Sequence, residues 1–110
     1  MNSRAMSLLS LCRKAGKLVT GFDEVKQAIW EGEARLIVLC ADLSPKRAED
    51  IQYAARTMRP AVKLITSVHT MDELMQVLGR RTGIIAVTEQ GLADSVEAAC
   101  SHTTEGADVL

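Results

Sequence analysis

The feature that most constrains this chain is residues 36–41, which read Leu-Ile-Val-Leu-Cys-Ala, six apolar positions with no polar interruption. A half-buried strand alternates apolar and polar side chains, and a surface helix repeats its apolar residues every three to four positions. A short run that does neither fits a strand covered on both faces. Helices are what cover such a strand, and helix-like and strand-like segments alternate along the rest of the sequence. The pattern predicts an α/β sandwich built on a small, mostly parallel sheet.

Taken in order, Ala5, Leu8, Leu9 and Cys12 form one stripe of a first helix, with Arg13 and Lys14 in its last turn and Gly16 as the stop. Lys17 to Thr20 is at most a short strand. Thr20-x-x-Asp23 resembles a capping box for a second helix. Val25, Ala28, Ile29 and Gly32 make that helix's apolar face, so Asp23, Lys26 and Gln27 point elsewhere. After the apolar run, Ser44-Pro45 is a cap followed by proline at a first helical position. The third helix buries Ala48, Ile51, Ala55 and Met58, and Val62 to Thr66 is the next strand. Thr70 caps a short helix with Met71, Leu74, Met75 and Leu78 inward, which Gly79 ends. Gly83 to Val87 is the last strand, and Leu92, Val96 and Ala99 face inward on a final helix. Residues 1–100 thus form one domain, with Ser101 to Leu110 as a flexible tail.

A chain of 110 residues is one domain, able to bury roughly two-thirds of the surface its unfolded form exposes. The three cysteines, Cys12, Cys40 and Cys100, are odd in number and lie within apolar segments, as small buried hydrophobes do in a reducing compartment. The first residues lack the long apolar stretch of a secretion signal, and no apolar run is long enough to span a membrane, so a cytoplasmic protein with no membrane partner is expected. The net charge of −1 is unevenly spread: residues 89–110 hold five acids and no Lys or Arg, whereas residues 1–20 hold Arg4, Arg13, Lys14 and Lys17 and no acid. Such asymmetry suits a polyanionic partner; solvated helix faces are the plainer explanation. Trp30, Tyr53 and Phe22 are the only aromatics, which argues against RNA recognition based on stacking platforms.

Motif by motif, catalysis finds little support. His69 and His102 are far apart and no cysteine pair has ligand spacing, so no metal or other cofactor is expected. No nucleophile elbow or phosphate-cradling glycine loop occurs. Burial should raise the pKa of each cysteine rather than activate it. Asp42 is the one acid at the carboxyl end of a buried strand, where α/β sheets place sites. It is the residue for an enzymatic or small-molecule alternative, although capping the Ser44-Pro45 turn is its simpler role.

Gly21-Phe22-Asp23-Glu24-Val25, then Gly32, then Ala34-Arg35-Leu36-Ile37-Val38-Leu39-Cys40-Ala41-Asp42-Leu43-Ser44-Pro45 resembles the kink-turn-binding ribosomal protein superfamily of the L-seven-Ae/L-thirty-e type. That pattern runs G-x-N-E-V, a glycine some eight residues later, then A-[KR]-L-V-V-[IL]-A-x-D-x-x-P. Leu78-Gly79 and Ala86-Val87 resemble its later landmarks. The opening from Leu8 to Gly21, with Arg13-Lys14-Ala15-Gly16-Lys17 at its centre, resembles the short bacterial YlxQ-like branch. The resemblance covers residues 8 to about 96 and rests on the order and spacing of its motifs together.

It implies a three-layer α/β/α sandwich with a small four-stranded mixed sheet, residues 36–41 central, and a non-catalytic role in binding structured RNA, ribosomal RNA being the natural target. The family grips RNA with the start of its second helix: the Asn and Glu of G-x-N-E contact guanines of sheared G·A pairs, and a Lys one turn later adds a contact. An apolar loop before the last strand packs on flanking nucleotides. Carried over, the site is Gly21, Phe22, Asp23 in place of Asn, Glu24 retained, and Gln27 in place of Lys, with Lys26 one position earlier. The loop, Arg80-Arg81-Thr82-Gly83, is short and basic. Ionised Asp23 only accepts hydrogen bonds where Asn also donates, and a lysine one position off is rotated about 100° around the helix. Arg13, Lys14, Lys17, Lys46, Arg47, Arg80 and Arg81 are the candidates for phosphate contacts. A protein-interaction module that has lost RNA binding is the remaining alternative.

Overall fold

The computed structural model describes the backbone of residues 3–109 and the side chains of residues 4–100. Its elements alternate as α1 (Ser3–Lys14), β1 (Leu18–Thr20), α2 (Phe22–Trp30), β2 (Leu36–Leu39), α3 (Pro45–Met58), β3 (Lys63–Thr66), α4 (Met71–Leu78), β4 (Ile84–Val87) and α5 (Gln90–Val109). The sheet order is β1-β4-β2-β3. β2 pairs in parallel with β3, and β4 runs antiparallel to both β1 and β2.

The sheet is the four-stranded mixed one that the family resemblance implied, and not the mostly parallel one that helix–strand alternation alone suggested. β1, β2 and β3 point the same way, yet β4 is inserted between two of them. Thr66 at the end of β3 and Ile84 at the start of β4 both pair with Leu39, so the chain leaves and re-enters the sheet at one edge. Alternation of helix and strand cannot reveal this return, because α4 and its turn look like any other crossover.

β2 keeps the first four residues of the expected strand at 36–41; Cys40 is buried just beyond it and Ala41 is exposed in the turn that follows. All four β2 residues are buried. Leu36 and Val38, with Cys40 just beyond, pack into a cluster with Ala5, Leu9 and Cys12 of α1, Leu74 and Leu78 of α4, and Ala93, Val96 and Ala99 of α5. Ile37 and Leu39 turn to the other face and meet Val25, Ala28 and Ile29 of α2 and Ile51 and Ala55 of α3. The period of two divides one apolar run between two helical layers. Each fully buried aliphatic side chain is worth about 1.5–3 kcal/mol relative to exposure, which makes β2 the centre of stability as well as of topology.

Two local expectations change. Met75 is 43% exposed, so the apolar face of α4 is Leu74 and Leu78 with half-buried Met71. The cap of α2 is Gly21, with no side-chain cap hydrogen bond, because Thr20 is held in β1 opposite Ile85. The backbone of α5 is helical to Val109, while the side chains of the expected tail lie outside the described residues. Among the described residues no helix is long and apolar enough to cross a membrane.

Candidate functional site

Because β1, β2 and β3 share a direction, α2, α3 and α4 all begin beyond the same carboxyl edge of the sheet. A helix start leaves several backbone amides without intrahelical partners. Two of these starts are closed. Ser44 Oγ accepts from the Arg47 amide at 3.3 Å, with Pro45 in the first turn of α3. At α4, Thr70 Oγ1 accepts from the Glu73 amide at 3.2 Å, and Glu73 Oε1 accepts from the Thr70 amide at 2.8 Å. Asp42 Oδ1 accepts from the Met71 amide at 3.0 Å. The start of α2 is open. Gly21 stands there at φ 102°, ψ 152°, a region essentially reserved for glycine, so no Ser, Thr or Asn can occupy the cap without strain.

Beside that open start lies a shallow cleft of about 440 Å³, lined by Gly21 and Phe22, by Asp42 to Ser44 and Arg47 from the start of α3, and by Met71 and Arg80 to Ile84. The Arg47 guanidinium stacks 4.8 Å above the Phe22 ring, and Lys26 Nζ lies 5.9 Å from the same ring. One aromatic thus gathers two cations. Arg80 reaches back over the cap: a Cβ on Gly21 would lie 3.4 Å from Arg80 Nη2 and 2.5 Å from Glu24 Oε1. Arg81 is held by an ion pair from its Nε to Asp72 Oδ1 at 3.1 Å. The loop can approach this closely because of Gly83, whose carbonyl accepts from the Cys40 amide at 2.9 Å and where a Cβ would meet Leu43 and Cys40 Sγ at under 3 Å.

Of the residues expected to bind RNA, Gly21, Phe22, Arg47, Arg80 and Arg81 therefore meet at one cleft. Asp23, Lys26 and Gln27 line an adjoining hollow of about 400 Å³ with Trp30 and Met58. Glu24 sits at the rim, over the cap. The others go elsewhere. Arg13 Nη1 donates to the Val77 carbonyl at 3.1 Å, near the end of α4. Lys17 enters β1 at the far end from Gly21, where its carbonyl accepts from the Thr88 amide at 3.0 Å. Lys14 is exposed beside it in sequence. Lys46 pairs with Asp50 at 3.4 Å on the exposed side of α3. Arg13, Lys14 and Lys17 thus do not line the cleft, although the Arg13 guanidinium packs beside Gly79, the residue before Arg80. Asp72, which positions Arg81, gave no sequence signal beyond its place in the first turn of a helix.

Asp42 does not cap the Ser44-Pro45 turn; Ser44 does that, and Asp42 caps α4 instead. The Met71 amide, followed by the Cys40 thiol, holds the Asp42 carboxyl below the usual carboxylate range. Burial, followed by its hydrogen bond to Asp42, pushes the Cys40 thiol up to about 11. Burial also raises Cys12 and Cys100. These are inert, structural thiols.

Architecture and site together define a small α/β/α docking domain, with one uncapped helix start set beside a basic cleft. Residues 3–98 match the Ribosomal protein L7Ae/L30e/S12e/Gadd45 family, and the chain belongs to that family. It is 31% identical over 94 residues to RNA-binding protein YlxQ of Bacillus subtilis, covering 81% of this chain and 87% of that protein. To large ribosomal subunit protein eL30B of Schizosaccharomyces pombe it is 30% identical over 94 residues, covering 84% and 79%. Among solved structures, a protein with unknown function from Bacillus halodurans superposes with a TM-score of 0.81 at 21% identity, covering 89% of this chain and 97% of that one. The Giardia lamblia 15.5kD RNA binding protein does so at 0.71 and 14%, covering 91% and 84%. At those identities the two structures show the shared fold.

Proposed function

We propose that this chain is a non-catalytic, ribosomal-type RNA-binding protein that docks structured RNA at the carboxyl edge of its sheet. The start of α2 faces the base edges of a kinked, G·A-containing turn, while Lys26, Arg47, Arg80 and Arg81 meet phosphates. Ribosomal RNA is the favoured target and the cytoplasm the expected setting. The observation that carries the reading is the convergence of Gly21, Phe22, Arg47, Arg80 and Arg81 around one open helix start. Unpaired amides and the positive end of a helix dipole attract anions, and the surrounding guanidinium groups suit phosphate oxygens. Membership of a ribosomal protein family supports the same reading. Against the enzymatic alternative, Asp42 already has a structural role as acceptor for the Met71 amide.

Four such cations give a slope of log affinity against log salt of about −2.8 to −3.6, at roughly −0.7 to −0.9 per phosphate contact. Arg80→Ala combined with Arg81→Ala should make the slope shallower by about one to two. Filter binding of a kinked RNA at several salt concentrations tests it. An unchanged slope in the double variant removes the loop from the interface.

A further inference from the structure

Trp30 is the one tryptophan of the chain, and it stands 65% exposed although tryptophan is usually well buried. It lies on the stripe Asp23, Lys26, Gln27, Trp30 of α2, with Met58 of α3 forming the opposite wall of the hollow. The stripe begins at the helix start assigned above to RNA and runs about 10 Å down the helix, the length of roughly three stacked nucleotides. Cations stand at both ends of the indole's position. Lys26 lies one turn before it. Arg59 donates from Nε to the Ile29 carbonyl at 3.3 Å and from Nη2 to the Trp30 carbonyl at 3.1 Å, fixing the backbone that carries the ring. The neighbouring acid Glu31 is engaged by the Gln27 amide at 2.8 Å.

Resting on the RNA-docking reading of α2, we infer that Trp30 is a stacking platform for one unpaired nucleobase of the strand leaving the docked turn. Lys26 and Arg59 flank the phosphates on either side of it. An indole face accepts any base, so the platform lengthens the footprint without adding sequence preference. The overall scarcity of aromatics remains consistent with this, since a single base is captured rather than a run.

The probe is an RNA stem with a G·A-containing kink, made blunt and made with a three-adenosine unpaired extension. Because Trp30 is the sole indole, intrinsic fluorescence reports on the site directly. The extended RNA should quench it and the blunt RNA should not. Trp30→Ala should weaken binding of the extended RNA by about 5- to 150-fold, the range for losing one stacked base. It should leave the blunt RNA and the salt slope unchanged, and Trp30→Phe should retain most of the affinity. If Trp30→Ala binds both RNAs like the parent while the Arg80/Arg81 double variant weakens both, the platform is overturned and the docking reading stands. If neither variant changes binding, the docking reading fails as well. Trp30 fluorescence in the parent that changes with protein concentration in the absence of RNA, together with loss of self-association in Trp30→Ala by sedimentation, would overturn the platform and assign the patch to a second copy of the chain.

Discussion

The first turns of α2 and α4 stand at the same edge of the sheet and are finished in opposite ways. At α4, Thr70, Glu73 and Asp42 supply three acceptors to backbone amides, and the start is closed from within the fold. At α2, the cap is a glycine in a conformation other residues resist, and no side chain caps the turn. Both helices carry two acids in the first turn, so composition alone would rank them as equals. The difference teaches that an open helix start is a product of the backbone. β1 delivers the chain into α2 through an angle that only glycine accepts, and this keeps the amides free for an outside partner.

The largest expected effect comes from trying to close α2. Gly21→Ser introduces a side chain that is among the best helix caps, yet here it should destabilise by about 1–3 kcal/mol, the cost of a non-glycine residue in a sparsely populated backbone region. Urea denaturation measures it. A stabilised Gly21→Ser protein would mean that the two starts differ only in side-chain choice, and the contrast would fall.

A comparable effect on binding, without one on folding, should follow from Asp23→Asn. If the open start faces guanine edges, recovering a bidentate base contact tightens binding to a kinked RNA by about 1–3 kcal/mol. Plain duplex RNA should respond little, since phosphate contacts position and base contacts specify. Gel-shift titrations of both RNAs at two salt concentrations decide it. Equal affinities of parent and variant for the kinked RNA would take this turn out of the base-reading surface.

The smallest effect is expected at the closed start. With the Asp42 carboxyl held below its ordinary value by the Met71 amide and the Cys40 thiol, its contribution to stability is complete above the unfolded-state pKa of about 3.9. That contribution is lost as pH falls through the lower folded-state value. Asp42→Asn should therefore flatten the acid limb of the stability profile below about pH 4. Thermal unfolding between pH 2 and 7 follows it. An acid limb identical to the parent's would show that Asp42 does not close α4 energetically.

Much of this was legible in residue order. The run at 36–41 announced a two-sided strand, which the fold keeps over Leu36–Leu39. Ser44-Pro45 and Thr70 announced two helix starts, and Gly79 announced an end; each is a signal within a few positions of its effect. Gly21 to Gln27 also stood out, as a motif. The false capping box at Thr20 shows the limit of such reading. The spacing was close to right, but Thr20 belongs to β1 through its pairing with Ile85, a contact set by the sheet. The contacts that shape the cleft were hidden for the same reason, although several of their residues stood out. Arg47 meets Phe22, Asp42 meets Met71 29 positions away, and Arg81 meets Asp72 across the length of α4.

The sequence by itself determined which segments are helix and strand and that β2 lies at the centre, because apolar period, caps and glycines act over one or two turns of chain. Only the tertiary structure decided that β4 slips between β1 and β2, that Arg13 is engaged at the end of α4 instead of lining the cleft, and that Arg47, Arg80 and Arg81 share it. Those outcomes depend on which strand edges pair and how helices fill the two faces. Such contacts join residues far apart in sequence, and their energies are settled by packing rather than by any local pattern.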